Sequence, residues 1–323
     1  MFTLSRRSPA LLLALAGLVI AGCGDDDAGG SAASGADRID VVATTTVLGD
    51  LVREVGGEAV DVTQILQPNS DAHDYEPRPD DVRDTAGAQV VVASGDNLDR
   101  WIGDVVEQSG SDAVTIDVSQ QLKVRLPGES EGEEASKHDP HWWHDPRNTE
   151  TAVEEIRDAF IKANPGARAV YERNAIAYIA KVKALDTGIA ECFAAVPARE
   201  RKLVTDHDAF GYFADRYDIT VVGAVIPSQT TQAQPSAGEV AELVRTIERE
   251  DVKAVFPESS VNPKLAQAIA KQTGASAEYT LYGDSLGEEG SPGATYLGME
   301  QANADAMVKG FTGGSGSCRV PGI

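Results

Sequence analysis

Apolar positions along this chain follow two alternating rhythms. Runs of β-branched residues, such as Ile39-Asp40-Val41-Val42-Ala43-Thr44-Thr45-Thr46, give way to stretches where apolar residues recur every three or four, such as Val47, Leu48, Leu51, Val52 and Val55. The first pattern suits a strand and the second an amphipathic helix. The alternation continues with expected strands at 60–66, 89–94 and 113–118, a short helix from about Pro79, and a helix at 98–108. Alternation of this kind builds a parallel sheet covered on both faces. Asp145-Pro146 opens the next helix, since Asp can accept free N–H groups at the N-cap and Pro is tolerated in the first turn. That helix runs to about Ala163, where Asn164-Pro165 breaks it.

Residues 166–195 then contain no proline, and at about 1.5 Å per residue a helix of that length reaches roughly 40 Å, the width of a domain or more. It reads as a rigid beam. Beyond it the same grammar returns, with strands expected at 202–205, 220–225, 254–256 and 278–281. Helices are expected at 209–217, from Ser236 or Gly238 to Glu250, at 263–273 and at 295–309. The expected fold class is therefore α/β, with two lobes, each a parallel β-sheet flanked by helices, joined by a single long α-helix. The boundaries read as 39–165 for the N-terminal lobe, 166–195 for the linking helix and 196–323 for the C-terminal lobe.

Composition adds a compartment. Arg6-Arg7, an apolar run from Ala10 to Ile20 too short to span a bilayer comfortably, and Ile20-Ala21-Gly22-Cys23 together read as a secretory signal over residues 1–22. The ending resembles a bacterial lipobox, which implies cleavage before Cys23 and acylation of that cysteine; the alternative is an ordinary signal with an incidental cysteine. Residues 23–38, rich in Gly, Ser and Asp, form a flexible tether. The expected location is extracytoplasmic, held to the membrane by lipid. The balance of 28 Lys and Arg against 51 Asp and Glu, a net charge of −23, argues against nucleic acid and favours cations. Cys192 and Cys318 are left as an even pair in an oxidising compartment, either bonded or as two free thiols. Neither belongs to a Cys-x-x-Cys arrangement, so no cysteine metal site is expected.

Candidate chemistry is concentrated in His138-Asp139-Pro140-His141-Trp142-Trp143-His144-Asp145-Pro146, which holds three of the five histidines. Clustered histidines behind an acidic loop (128–138, read as mobile) can be simply solvated, but other polar residues stand where ligands bind in parallel α/β sheets, outside the carboxyl ends of strands. His73 follows the second strand, His207 ends the first strand of the second lobe, and Glu258 and Asp284 end later ones. Three imidazoles and a carboxylate, with no thiolate, suit a divalent transition metal.

The motifs around these residues resemble those of the zinc/manganese solute-binding proteins of bacterial ABC importers, the ZnuA/TroA-like group. His73 stands in Asp-Ala-His-Asp-Tyr-Glu-Pro, His141 in Asp-Pro-His-Trp-Trp-His-Asp-Pro, and His207 in Asp-His-Asp-Ala-Phe-Gly-Tyr-Phe. Glu258-Ser-Ser-Val-Asn-Pro-Lys and Leu281-Tyr-Gly-Asp284 complete the set in order. The resemblance, covering 39–312, implies metal ligation by His73, His141, His207 and Asp284 and delivery to the membrane permease and ATPase subunits of an ABC importer; Glu258 reads as orienting an imidazole or as a strand-end hydrogen-bonding residue. It implies Zn2+ as cargo, with Mn2+ as the alternative, because manganese members place Glu where this chain has His207; by donor chemistry alone copper stays open. Two departures stand out: Asp206 replaces a Ser, which leaves the local hydrogen bonding open, and the loop before His141 is short and acidic rather than His-rich. His138, His144 and the nearby glutamates serve accessory capture or are solvated loop residues. A monomer and no enzymatic activity are expected; a zinc-dependent hydrolase would need a base, for which Glu258 is the only candidate, and an adhesin-type lipoprotein is the remaining rival.

Overall fold

Four parallel strands, β1 (Ile39–Ala43), β2 (Val60–Gln64), β3 (Val90–Ala93) and β4 (Val114–Asp117), form the first sheet in the order β2-β1-β3-β4. The computed structural model describes residues 38–132 and 134–323; the expected leader, Cys23 and all of the expected tether but Arg38 lie outside the described residues. Composition sets each strand's place. The central β1 and β3 are almost wholly apolar and buried, whereas the outer β2 (Val-Asp-Val-Thr-Gln) and β4 (Val-Thr-Ile-Asp) alternate and are only partly covered. Helices α1 (Thr46–Gly56), α2 (Pro79–Thr85), α3 (Ile102–Ser109) and α4 (Pro146–Ala163) complete this lobe. α4 begins as the Asp-Pro pair dictates, with Asp145 accepting the N–H of Arg147 and Pro146 in the first turn. α3 starts four residues later than the apolar spacing suggests. Gly95, Asp96 and Asn97 all take positive φ, and the Asp99 carboxylate accepts the N–H groups of Ser94 and Gly95, so residues 94–99 close a tight turn instead.

The second lobe pairs β5 (Lys202–His207) with β6 (Thr220–Ile226) in parallel, flanked by α6 (Gly211–Tyr217), α7 (Ala237–Glu250) and α8 (Lys264–Thr273). The strands expected at 254–256 and 278–281 are present only as isolated parallel bridges, Thr205 to Phe256, Glu258 to Leu281 and Ala254 to Ser276. The cause is local. Pro257 has no N–H to donate, and the next N–H, that of Glu258, goes to the Asp206 carboxylate at 2.8 Å rather than to a strand. The direction of the sheet survives, with the Phe256 N–H on the Val204 carbonyl and the Leu281 N–H on the Pro257 carbonyl, both at 2.8 Å.

Between the lobes runs α5 (Arg168–Ala194), 27 residues and about 40 Å long. Its buried apolar residues Tyr171, Ala175, Tyr178, Val182, Leu185, Ile189 and Phe193 recur at steps of three or four along one face. The first four enter the core of the first lobe and the last three that of the second. The last helix, α9 (Tyr296–Phe311), also crosses: Tyr296 and Met299 pack in the first core, while Ala304, Met307, Val308 and Phe311 pack in the second. Cys192, near the end of α5, is bonded to Cys318, which ties the C-terminal tail to that helix. Among the described residues no helix is long and apolar enough to cross a membrane.

Candidate metal centre

The two lobes meet around four side chains. His73 comes from the loop after β2, where Asp71 accepts its backbone N–H at 3.0 Å. His141 precedes a single 3-10 turn (Trp142–His144) that leads into α4. His207 is the last residue of β5, and Asp284 follows Gly283 on the return from the Leu281 bridge. The loop bearing Asp284 is also stapled to the first lobe: Leu286 donates its N–H to the Thr46 hydroxyl at 2.8 Å, and Asn69 donates to the Leu286 carbonyl at 2.9 Å.

One ligand atom from each residue lies within 4.8 Å of all the others, and the residues are buried to 4, 0, 0 and 2% exposure in chain order. His141 Nε2 is 3.3 Å from both His73 Nε2 and His207 Nε2. Asp284 oxygens lie 3.8, 3.3 and 3.5 Å from the Nε2 atoms of His73, His141 and His207. Three ring nitrogens thus crowd one point, and neither Asp284 oxygen has a hydrogen-bond partner. Such a group of converging lone pairs suits a cation at its middle. A tetrahedron with bonds of about 2.0–2.1 Å, as for zinc on imidazole, has edges of about 3.3 Å, and His141 Nε2 stands at that separation from each of the other two nitrogens.

What aims the three Nε2 atoms is a carboxylate behind each ring. His73 Nδ1 lies 2.6 Å from Glu134 Oε2, His141 Nδ1 2.7 Å from Asp139 Oδ1, and His207 Nδ1 within 3.0–3.1 Å of both Glu258 oxygens. A carboxylate at Nδ1 fixes the tautomer that leaves the Nε2 lone pair free for metal, and makes the ring a better donor. Asp139 also accepts the His141 backbone N–H and Glu258 that of His207, both at 2.9 Å, so backbone and ring are held by one group. Gly283 leaves room for this carboxylate: a Cβ on it would stand 2.2 Å from Glu258 Oε2 unless that side chain moved.

The electrostatics follow from burial and these partners. Burial would lower His141, but the Asp139 and Asp284 carboxylates outweigh it and hold the ring up at about 9. His207 is likewise raised well above its ordinary value, by Glu258 and Asp284 against burial. Asp284 is held well below the usual carboxylate range; burial opposes this, and His207 and His141 prevail. Burial pushes Asp206 up to about 7, although the Glu258 N–H stabilises its charge. Asp206, the departure from the motif, thus fastens the segment that carries Glu258 to β5.

The remaining expected residues fall elsewhere. Glu258 stands behind His207, the first of its two expected places. His138 lies beside Arg125 and Asp96, 3.0 and 3.5 Å away, outside the group of four. His144 is not a solvated loop residue: it lies outside the group of four, fully buried, stacked on Phe210 at 4.4 Å and 2.8 Å from Glu300. The acidic loop read as mobile is docked. Glu129 accepts from the Ser228 hydroxyl and the Gln229 N–H across the lobes, both at 2.9 Å, and Glu134 is on His73. Two groups behind the rings, Glu134 and Asp139, escaped the sequence reading. Asp139 carried a signal, an acid two residues before His141 and followed by Pro, able to accept the His141 N–H. Glu134 carried none beyond its charge.

Comparison with known proteins gives one family. Residues 41–310 match the model of "Zinc-uptake complex component A periplasmic". The chain is 33% identical over 296 residues to the manganese-binding lipoprotein MntA of Bacillus subtilis strain 168, covering 90% of this chain and 94% of that one. It is 28% identical over 291 residues to the metal ABC transporter substrate-binding lipoprotein SsaB of Streptococcus sanguinis, covering 87% and 92%. Among solved structures, the periplasmic zinc-binding protein TroA from Treponema pallidum superposes with a TM-score of 0.77 at 27% identity, covering 85% of this chain and 99% of that one.

Proposed function

We propose a function for a chain that belongs to the family of the periplasmic zinc-uptake complex component A: it captures a divalent transition-metal ion between its two lobes and hands it to the permease and ATPase subunits of an ABC-type importer. The observation that carries the reading is the convergence of His73, His141, His207 and Asp284 from both lobes, each imidazole backed by a carboxylate. The ion is cargo. Four protein donors close its coordination shell, whereas a hydrolytic zinc site keeps a position open for water. Glu258, the one candidate base, is taken up by His207. Acylation of Cys23 would hold the protein outside the cytoplasmic membrane as a monomer within reach of its transporter.

The cargo is zinc. Three nitrogens and one carboxylate suit zinc, while manganese favours extra carboxylate oxygens and stands below zinc in intrinsic affinity for such a site. Manganese is the second reading, favoured by the relative from Bacillus subtilis that is named for it. The test is chelator-buffered competition between the two ions on the metal-stripped protein and on His207→Glu. The expected result is a zinc preference of at least about tenfold in the native protein that narrows in the variant. A native protein that holds manganese as tightly as zinc would sink the zinc reading, and one that binds neither would sink metal capture altogether.

A further inference from the structure

One face of α9 carries three polar side chains that are fully buried: Tyr296, Glu300 and Asn303, at steps of four and three. Each grips a segment that carries a metal ligand. The Tyr296 hydroxyl donates to the Trp143 carbonyl at 3.0 Å. Glu300 Oε1 lies 2.8 Å from His144 Nδ1. Asn303 accepts the Tyr282 N–H at 2.8 Å and donates to the Tyr282 carbonyl at 2.9 Å. Trp143 and His144 follow His141 by two and three residues, and Tyr282 precedes Asp284 by two. The two segments also touch directly, the Trp143 indole donating to the Gly283 carbonyl at 3.0 Å. α9 is anchored in both cores, so its placement sets how the two segments face each other.

Packing does not ask for the polar pair in the middle of this face. His144 Nε2 and Glu300 Oε2 are each buried without a hydrogen-bond partner, and the imidazole lies flat on Phe210 where an aliphatic side chain would pack as well. A buried pair left partly unsatisfied gives little or no stability over apolar residues of the same shape. What such a pair can supply is one fixed geometry.

We propose that Glu300, acting through His144, is a positioning residue for the metal centre: with Tyr296 and Asn303 it makes α9 a jig that fixes the spacing between His141 of the first lobe and Asp284 of the second. That spacing sets which ion the four donors fit. The inference rests on the metal-capture reading above and adds a determinant of selectivity that contacts no ligand atom of the ion.

The test is titration of zinc and of manganese on the metal-stripped native protein, on Glu300→Gln, on Glu300→Ala and on the double variant His144→Leu/Glu300→Met, with the melting temperature of each stripped form. Glu300→Gln keeps a hydrogen-bonding group opposite His144 and should hold both affinities within about threefold. The double variant should melt at or above the native temperature, yet bind zinc about tenfold more weakly and shift the zinc-to-manganese ratio by about as much. A well-folded double variant with native affinities and ratio overturns the proposal. Should it not fold, Glu300→Ala decides in the same way: a changed ratio supports the jig and native values overturn it. A native protein that binds neither ion defeats the metal-capture reading and this proposal with it.

Discussion

The metal centre and the α5 spine lie in the same molecule and are built on opposite plans. The spine is an apolar stripe, Tyr171 to Phe193, whose burial stabilises the fold whether or not an ion is present. The centre gathers three imidazoles and a carboxylate with both oxygens unpartnered, out of reach of water. Burying such groups costs free energy that is offset only by mutual pairing or by a cation. The difference teaches where each region's contribution is felt. Changes in the spine should move the metal-free and metal-loaded proteins together. Changes in the centre should act on the gap between them.

The strongest way to break that contrast is Asp284→Asn. Zinc at about a thousand times its Kd stabilises the native state by about 4 kcal/mol relative to the stripped form. Removing the only anionic ligand should lower zinc affinity about 1000-fold, or roughly 4 kcal/mol, so the gap closes at that zinc concentration. Calorimetric melting with and without zinc reads it directly. If the variant keeps the native gap, Asp284 is not a ligand.

The complementary change belongs to the spine. Leu185 is fully buried on α5, and Leu185→Ala should cost about 2–5 kcal/mol through lost burial and the cavity left behind. The loss should be the same with and without zinc, and the affinity should stay within about threefold. Denaturant titration of both forms checks it. Unequal losses would mean that the spine also acts on the centre, and the division between the two regions would fail.

Much of this was legible in the sequence, and the exceptions share a cause. The alternation of strand and helix, the Asp145-Pro146 helix start and the long α5 follow from local periodicity and capping, which the chain writes into adjacent residues. The four converging residues were legible because each sits at a strand end or in a stiffened turn, where a parallel sheet presents its ligands. What stayed hidden depends on distant partners. The 254–256 segment reads as a strand until Pro257 and the Asp206 carboxylate remove the next two donors along it. Glu134 reaches His73 across 61 positions, and Glu300 reaches His144 across 156. The period of α9 announces a helix, but says nothing of its serving two cores.

The smallest expected effect, and the one that sharpens the comparison most, is the response to pH. In the stripped protein His141 is held up at about 9, against about 6.5 in an unfolded chain. A raised imidazole favours the fold while it is protonated, so this contribution is fully present below about pH 6.5 and is lost as pH rises through about 9. Asp206, raised to about 7, acts with the same sign at lower pH: its folded form prefers the proton, so stability declines between about pH 4 and 7. The stripped protein should therefore grow less stable from mildly acidic to mildly alkaline pH. Zinc binding runs the other way, because the ion must displace the proton from His141. Its affinity should keep rising between about pH 6.5 and 9, approaching tenfold per pH unit for each proton released, or about 1.4 kcal/mol. Chelator-buffered titrations at several pH values, with proton release measured calorimetrically in two buffers, separate this from ordinary imidazole titration, which would leave the affinity flat above about pH 7.5. A flat profile there would mean that the Asp139 and Asp284 carboxylates do not hold the His141 proton. The spine supplies the control: Leu185→Ala should lower the whole stability curve and leave the pH profile of zinc affinity unchanged in shape.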